Sequence, residues 1–464
     1  MATTEGGPVS GLQEAQRRMH DGGVPQRAID VFSAFYDQLE QGATGMIPES
    51  EVDPLVDIDR ADQIELSDEA CREAAAVTAV IKLNGGLGTS MGLDRAKTLL
   101  PVRDDLTFLD VIAGQVLSLR DELDVRLPLL FMNSFRTRDD TLAALQRYDT
   151  LPVGGLPVDF LQNREPKLRA DDLAPVDWPA DPSLEWCPPG HGDLYTALDV
   201  SGILDTLLAE GYRYATVSNA DNLGAAPDAR MMGWFAASGA PYAAEVCRRT
   251  PADVKGGHIV VRKSDGRLVL RETAQTPDPD AAAAADPDRH RYFHTNNLWF
   301  DLQVVRRTLD EREGVLGLPL IRNAKTVDPT DPTSTKVVQI ESAMGAAVEV
   351  FDGATAIEVD RSRFLPVKTT NDLLLLRSDV YEIGDDFRVR SRVASVPLVG
   401  LDRRHFTTIS DFDARLPSPP SLVEARSLRV EGDWHFGPDV VVRGDVSLDD
   451  TGEAQTVAAG TTLG

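Results

Sequence analysis

The sequence predicts an α/β protein: a mixed, mostly parallel sheet with flanking helices, followed by a short C-terminal β-helix. Three observations carry that reading. Residues 77–83 form an almost unbroken apolar run that ends in a glycine-rich loop, the pattern of a strand covered on both faces of a parallel sheet. Further apolar stretches at 127–132, 158–161 and 212–217 end in polar residues, as in an open sheet whose strand ends line a ligand crevice. Near the carboxyl end Leu422, Leu428, Trp434, Val440 and Val446 fall six apart, as do Val430, Phe436, Val442 and Leu448, with turn glycines at Gly432, Gly437 and Gly444. A six-residue period of this kind lets each hexad form one flat side of a parallel coil.

The remaining elements follow in order. Residues 11–40 read as helix, with Ile29, Phe32, Phe35, Tyr36 and Leu39 near helical spacing after Pro25, a residue suited to a first turn. Residues 46–69 are an acid-rich connection. Thr107 to Asp110 resembles a capping arrangement that opens a helix through Leu123. Residues 193–210, closed by Gly211, supply a crossover helix. The apolar runs 259–261 and 268–270 flank Asp265-Gly266 and predict a hairpin covering the sheet. Residues 276–290, rich in Pro, Ala and Asp, read as an exposed excursion, and 337–351 as a helix. The expected division is an N-terminal helical segment (1–70), a central domain (71–390) and a C-terminal domain with the β-helix (391–464). That coil is too small to stand alone, so it is read as structural and as docking on the main domain or a partner chain.

Composition narrows the function. At 464 residues with 42% apolar content the chain is globular and long enough for two or three domains. No apolar run approaches a membrane span, and the opening MATTEGGPVS lacks a basic and an apolar export region, which predicts a cytoplasmic protein without a membrane partner. Cys71, Cys187 and Cys247 are far apart and show no metal-ligand spacing, so neither a disulfide nor a zinc site is expected. A net charge of −27 argues against nucleic acid. In so acidic a chain, a lysine beside motif glycines is informative.

The loop itself is ambiguous by composition. Gly85, Gly86, Gly88 and Gly92 remove Cβ atoms where a backbone turns sharply, so that peptide N–H groups can face phosphate oxygens. Lys97 adds a full positive charge. Yet Gly92 is followed by Leu93, so the Walker A loop is absent, and the spacing from Gly86 to Gly92 is one residue too long for the dinucleotide fingerprint. Nucleotide cradle and plain strand-to-helix turn both stand. His191, in the rigid turn Pro188-Pro189-Gly190-His191-Gly192-Asp193, reads more readily as a turn or capping residue than as a catalyst. Lys368 lies in a tight apolar and hydroxyl-rich context.

Taken together, six segments resemble the eukaryotic-type UTP–glucose-1-phosphate uridylyltransferase family. They are LNGGLGTSMG (83–92), PPGHGD (188–193), ADVKGG (252–257), TNNLW (295–299), NAKT (323–326) and RSRFLPVKTT (361–370). The resemblance spans nearly the whole chain. It implies a Rossmann-like nucleotidyltransferase sheet, a small helical N-terminal part and a left-handed C-terminal β-helix. It also implies the magnesium-dependent reaction of UTP with glucose 1-phosphate to give UDP-glucose and pyrophosphate. Carried over by motif, Leu83, Asn84, Gly85, Gly86 and Lys97 would hold UTP phosphates with Asp221 and Lys368, while Gln162 and Gly190 would read uracil. His191, Asn219, Glu272 and Asn296, with Gly85, Gly86 and Asp221, would contact the sugar phosphate. Asp221 would ligate Mg²⁺ with Lys97 adjacent, and Lys368, Lys97 and Lys255 would be catalytic. A homo-oligomer through the β-helix is a further implication. Two departures stand out: Leu93 to Thr98 reads LDRAKT where the family usually has Gly-Pro-Lys-Ser, and the coil ends early at Gly464.

The residue chemistry agrees with that reaction. The phosphate of glucose 1-phosphate is already anionic at neutral pH, so it can attack the α-phosphorus of UTP without a general base. What the reaction needs is positioning of two anions and neutralisation of the departing pyrophosphate. Rival readings are a UDP-N-acetylhexosamine pyrophosphorylase, a non-catalytic nucleotide-sugar sensor and a dinucleotide-dependent oxidoreductase. The loop Gly88-Thr89-Ser90-Met91-Gly92, where the first rival usually has Gly-Thr-Arg-Leu-Gly, favours glucose 1-phosphate.

Overall fold

The computed structural model describes residues 10–88, 91–103, 105–250, 253 and 256–464. The chain forms two compact units, each assembled from separated segments. The first comprises the chain up to Ile81 with Gly154–Val217 and Ala229–Val359; the second comprises Lys82–Val153, Ser218–Asp228 and Asp360–Gly464. Two of the divisions fall inside strands, Thr78–Asn84 and Tyr214–Asn219, and not in linkers.

In the first unit the strands run in the spatial order Asp59–Arg60, Thr355–Glu358, Tyr242–Arg248, Tyr292–Asp301, Tyr214–Asn219, Thr78–Asn84. Thr355–Glu358 pairs in parallel with both neighbours, whereas Tyr292–Asp301 is antiparallel to both of its own. The sheet is therefore mixed, as expected. Ala79, Val80 and Ile81 are buried, which explains the unbroken apolar run of a strand covered on both faces. Tyr214 meets Phe235 edge-on at 5.5 Å, and Phe235 lies 6.0 Å from Trp299, so aromatic rings tie helix Ala229–Ser238 to the sheet.

Several expectations need correction here. The segment 11–40 is two helices, Gly11–Asp21 and Gln26–Glu40. Gly23 takes a φ of 73° between them, and Pro25 caps the second helix without an N–H to continue the first. The crossover over 193–210 likewise breaks into Leu194–Val200 and Ile203–Ala209 at Gly202, whose φ is 74°. Residues 337–351 are not a helix: Lys336–Glu341 is a strand paired with Ile321–Thr326 and Leu168–Arg169, followed by a 3₁₀ turn at Met344–Glu349. Its β-branched Val337, Val338 and Ile340 favour a pleated surface. The hairpin His258–Arg262/Leu268–Arg271 forms with Gly266 at a φ of 73°, but it joins Val52–Pro54 in a separate three-stranded antiparallel sheet. The presumed excursion 276–290 is anchored, because Ala284 and His290 are buried and His290 Nε2 lies 3.0 Å from Glu49 Oε1.

The second unit contains helix Phe108–Leu123, opened by the expected reciprocal cap between Thr107 and Asp110, and the buried strand Leu129–Asn133. At the carboxyl end Leu398–Leu401, Ser421–Val430, Val441–Leu448 and Thr462–Leu463 stack in parallel, as do Trp434–Phe436 and Gln455–Val457 in a second ladder. Leu428 stands opposite Val446 and Val430 opposite Leu448, three hexads along the chain. Leu422, Leu428, Val430, Phe436, Val440 and Val442 are buried, so the six-residue period does place apolar residues inward. The three cysteines are buried, and none of them forms a disulfide. Among the described residues no helix is long and apolar enough to cross a membrane.

Candidate active site

In the second unit the apolar strand Thr78–Asn84 delivers the glycine loop. Asn84 is buried, and its amide is fully engaged: Nδ2 donates to Asn133 Oδ1 (2.8 Å) and Thr141 Oγ1 (2.9 Å), while Oδ1 accepts from Thr98 Oγ1 (2.9 Å). Thr137 Oγ1 donates to the Asn84 carbonyl at 2.7 Å and Ser134 Oγ to the Gly85 carbonyl at 3.0 Å. Asn84 therefore shapes the loop through its side chain and can offer a ligand only its backbone. Beside Gly86 there is open space, with nothing within 4 Å of where a Cβ would stand. Gly88 and Gly92 take positive φ values of 52° and 72°, where a side chain would be strained.

Lys97, on the 3₁₀ turn Lys97–Leu99, donates from Nζ to Asp221 Oδ2 at 2.9 Å and to the carbonyl of Val367. The Val367 N–H donates back to the Asp221 carbonyl at 3.1 Å, and Ala220 N–H donates to the Leu83 carbonyl at 3.0 Å. Asn222 adds two fasteners, accepting from Leu365 N–H (2.8 Å) and donating to the Arg363 carbonyl (3.1 Å). The segment before Lys368 is thus stitched to the strand end that carries Asn219 and Asp221. Lys368 itself is exposed, its N–H bonded to Asp372 Oδ2 at 2.8 Å ahead of helix Thr370–Arg377. Leu83, Asn84, Gly85, Gly86, Lys97, Asn219, Asp221 and Lys368 all belong to this unit, and Lys97 and Asp221 are in direct contact. Asn222 was not singled out from the sequence, although its place in the polar strand end Ser218 to Asn222 is the signal that marks it.

The first unit holds Gln162, Gly190, His191, Glu272 and Asn296. Gln162 Nε2 donates to the Gly190 carbonyl at 2.8 Å. Gly190 has a φ of 77°, and a Cβ there would lie 2.5 Å from the Ser342 carbonyl oxygen. The loop is zipped to that residue, Gly192 N–H donating to Ser342 O at 2.8 Å and Ser342 N–H to Pro189 O at 3.0 Å. Both demands explain the motif glycine. His191 Nδ1 accepts the Met344 N–H at 2.9 Å, so Nε2 carries the ring proton and is a donor. Packing among protein atoms lowers the His191 pKa to about 4, and the ring is neutral at physiological pH. Asp193 accepts both Asn163 N–H and Asn163 Nδ2, at 2.7 and 2.8 Å, and burial pushes its pKa up to about 7.

The TNNLW segment is a bulge. Ala244 pairs with Leu298 and Val246 with His294, so Thr295, Asn296 and Asn297 together face Glu245. Thr295 Oγ1 donates to the Glu245 carbonyl (2.8 Å), Asn297 Nδ2 to Glu245 Oε2 (3.0 Å) and Trp299 Nε1 to Glu245 Oε1 (3.0 Å). Asn296 alone turns away, at a left-handed φ of 58°. Its Oδ1 is buried beside the His294 ring and meets no donor at full hydrogen-bond geometry, which leaves an acceptor for a ligand donor. Glu272 caps the 3₁₀ turn Thr273–Gln275. Lys255 lies outside the described residues. Sequence reasoning passed over Glu245, since a lone glutamate in an apolar strand carries no motif.

The sequence model of the UTP–glucose-1-phosphate uridylyltransferase family matches residues 29–443. The chain belongs to that family. It is 38% identical to a probable UTP–glucose-1-phosphate uridylyltransferase of Schizosaccharomyces pombe, over 91% of this chain and 84% of that one. Against the Hordeum vulgare UTP–glucose-1-phosphate uridylyltransferase the identity is 41%, over 80% of this chain and 76% of that one. Among solved structures, a variant UDP-glucose pyrophosphorylase of Leishmania major in complex with UDP-glucose superposes with a TM-score of 0.91 at 40% identity, covering 98% of both chains. A UDP-glucose phosphorylase of Trypanosoma brucei gives 0.90 at 40% identity, again over 98% of each chain. The mixed α/β architecture matches that of these UDP-glucose pyrophosphorylase structures.

Proposed function

We propose that this chain transfers the uridylyl group of UTP to glucose 1-phosphate, giving UDP-glucose and pyrophosphate. The observation that carries the reading is near-complete agreement with a solved relative that holds UDP-glucose. In the reaction an oxygen of the sugar phosphate attacks the α-phosphorus, a new P–O bond forms, and the bond to the β-phosphate breaks to release pyrophosphate. Lys97 and Lys368, with Lys255, offset the charge that gathers on the triphosphate. His191 is neutral and donates from Nε2, which suits holding a phosphate or hydroxyl oxygen and not proton abstraction. Gln162, its Nε2 engaged by Gly190, presents Oε1 as an acceptor for uracil. Asn219, Glu272 and Asn296 orient the sugar, the buried Oδ1 of Asn296 accepting a hydroxyl.

A magnesium ion fits the donor set. Asp221 is a single carboxylate, a quarter exposed (25%) and beside Lys97, and Mg²⁺ commonly takes one or two carboxylates with substrate phosphates and water. Asp221 would hold it, and the ion would neutralise phosphate charge. We further read the parallel C-terminal coils as a left-handed β-helix available for homo-oligomerisation, and the enzyme as cytoplasmic. The test is pyrophosphate release from UTP with the 1-phosphates of glucose, galactose and N-acetylglucosamine. Fastest release with glucose 1-phosphate is expected. Release with none overturns the enzymatic reading, and preference for N-acetylglucosamine 1-phosphate moves the chain to the hexosamine class.

A further inference from the structure

We propose that His294 is a positioning residue for the sugar substrate, because it fixes the bulged residue Asn296 and backs the turn that holds His191. The inference rests on the sugar-binding reading of Asn296 and His191 above. His294 Nδ1 accepts the Asn296 N–H at 3.3 Å, so the side chain of one residue closes a turn on the backbone two residues on. That bond coincides with the left-handed φ of 58° at Asn296, a conformation that costs a non-glycine residue energy unless its surroundings hold it. The other side of the bulge is held by Glu245 through Thr295, Asn297 and Trp299. His294 supplies the fixed point for Asn296 itself.

The ring also presses on a second element. His294 is buried, and a Cβ on Gly345 would stand only 2.6 Å from its Cε1 and 3.1 Å from its Nε2. Gly345 follows Met344, whose N–H fixes the His191 tautomer. One imidazole therefore lies between the backbone that carries Asn296 and the turn that orients His191. Burial lowers its pKa to about 3, so Nδ1 remains an acceptor across the working pH range. Selection of the sugar follows from this arrangement: a shift of the bulge would displace the Asn296 amide relative to the hydroxyls it reads, with no direct effect on the triphosphate.

The experiment compares KM for glucose 1-phosphate, KM for UTP and kcat in the full-length wild type, H294L, H294N, N296A and H294L/N296A. H294L, which removes the acceptor, should raise KM for glucose 1-phosphate about tenfold, the effect of one lost neutral hydrogen bond, and leave KM for UTP within twofold. H294N should recover most of that loss, because an asparagine oxygen accepts from the N–H two residues on. In the N296A background the H294L change should cost less than it does in the wild type, because only the part transmitted through the His191 turn remains. Equal rises in both KM values, no recovery with H294N, or independent multiplication of the two single effects would each overturn the proposal. If H294L does not fold, H294Q takes its place, since its longer chain fills the space without closing the same turn. Wild type inactive with glucose 1-phosphate refutes the proposed function instead, whereas an active wild type with an unaltered H294L refutes only this inference.

Discussion

Lys97→Met tests the charge logic of the triphosphate half. The Lys97 side chain is 14% exposed, and its ammonium makes two contacts, with Asp221 Oδ2 and the Val367 carbonyl. Replacing it with an uncharged chain of similar length removes both and leaves Asp221 without that counter-charge. Each charge-assisted hydrogen bond is worth about 1.5–3 kcal/mol when shielded. Asp221 is a quarter exposed (25%), so water makes up part of the loss and a stability cost of about 2 kcal/mol is expected. Turnover should suffer more, since an oriented positive group facing developing phosphate charge contributes on the order of 10²–10³-fold. Pyrophosphate release at saturating substrates, with thermal denaturation alongside, separates the two. Lys97→Arg should keep the charge but not the single-point geometry and fall between. A kcat within threefold of wild type in a folded Lys97→Met protein would refute the role given to Lys97.

Gly190→Ala should destabilise the first unit by about 2–4 kcal/mol, combining left-handed strain with a Cβ only 2.5 Å from a backbone oxygen; a melting temperature unchanged within 1 °C, by the rough scaling of about 2–8 °C per kcal/mol, would contradict it. Glu245→Gln should cost about 1–3 kcal/mol in denaturant unfolding, because one amide nitrogen must face a donor, either Asn297 Nδ2 or Trp299 Nε1; an unaltered midpoint would count against the clamp. For Asp193 burial pushes the folded pKa up to about 7, above the ordinary aspartate value of about 3.9. The folded protein then binds the extra proton between those values, and its stability falls as pH rises through that window. Asp193→Asn lacks this titration, so its destabilisation relative to wild type should shrink from pH 4 to pH 8; a constant difference would refute the shift.

Much of the fold was legible because its signals are local. The apolar run before the glycine loop, the Thr107–Asp110 cap and the Asp265-Gly266 turn each specify one element through nearest neighbours. The hexad period survived as inward-facing Leu422, Leu428 and Val440, since stacked coils repeat one local pattern. The errors arose where a partner decides. Residues 337–351 became a strand because Ile321–Thr326 and Leu168–Arg169 flank it, and His290 was drawn inside by Glu49, far away in sequence. A long helix was read through Gly22-Gly23 although its own glycines end it. At the site, motif residues could be named by resemblance, but the groups that set their geometry could not. Glu245 and His294 act through contacts to a bulge, and no spacing rule reveals them.

Attack at the α-phosphorus of UTP is decided by where the transferred phosphorus comes from. With UTP labelled in turn at the α and γ phosphates and unlabelled glucose 1-phosphate, α label is expected in UDP-glucose and γ label in released pyrophosphate. Transfer of γ label to the sugar phosphate, or retention of α label in a free uridine nucleotide without sugar, would contradict it.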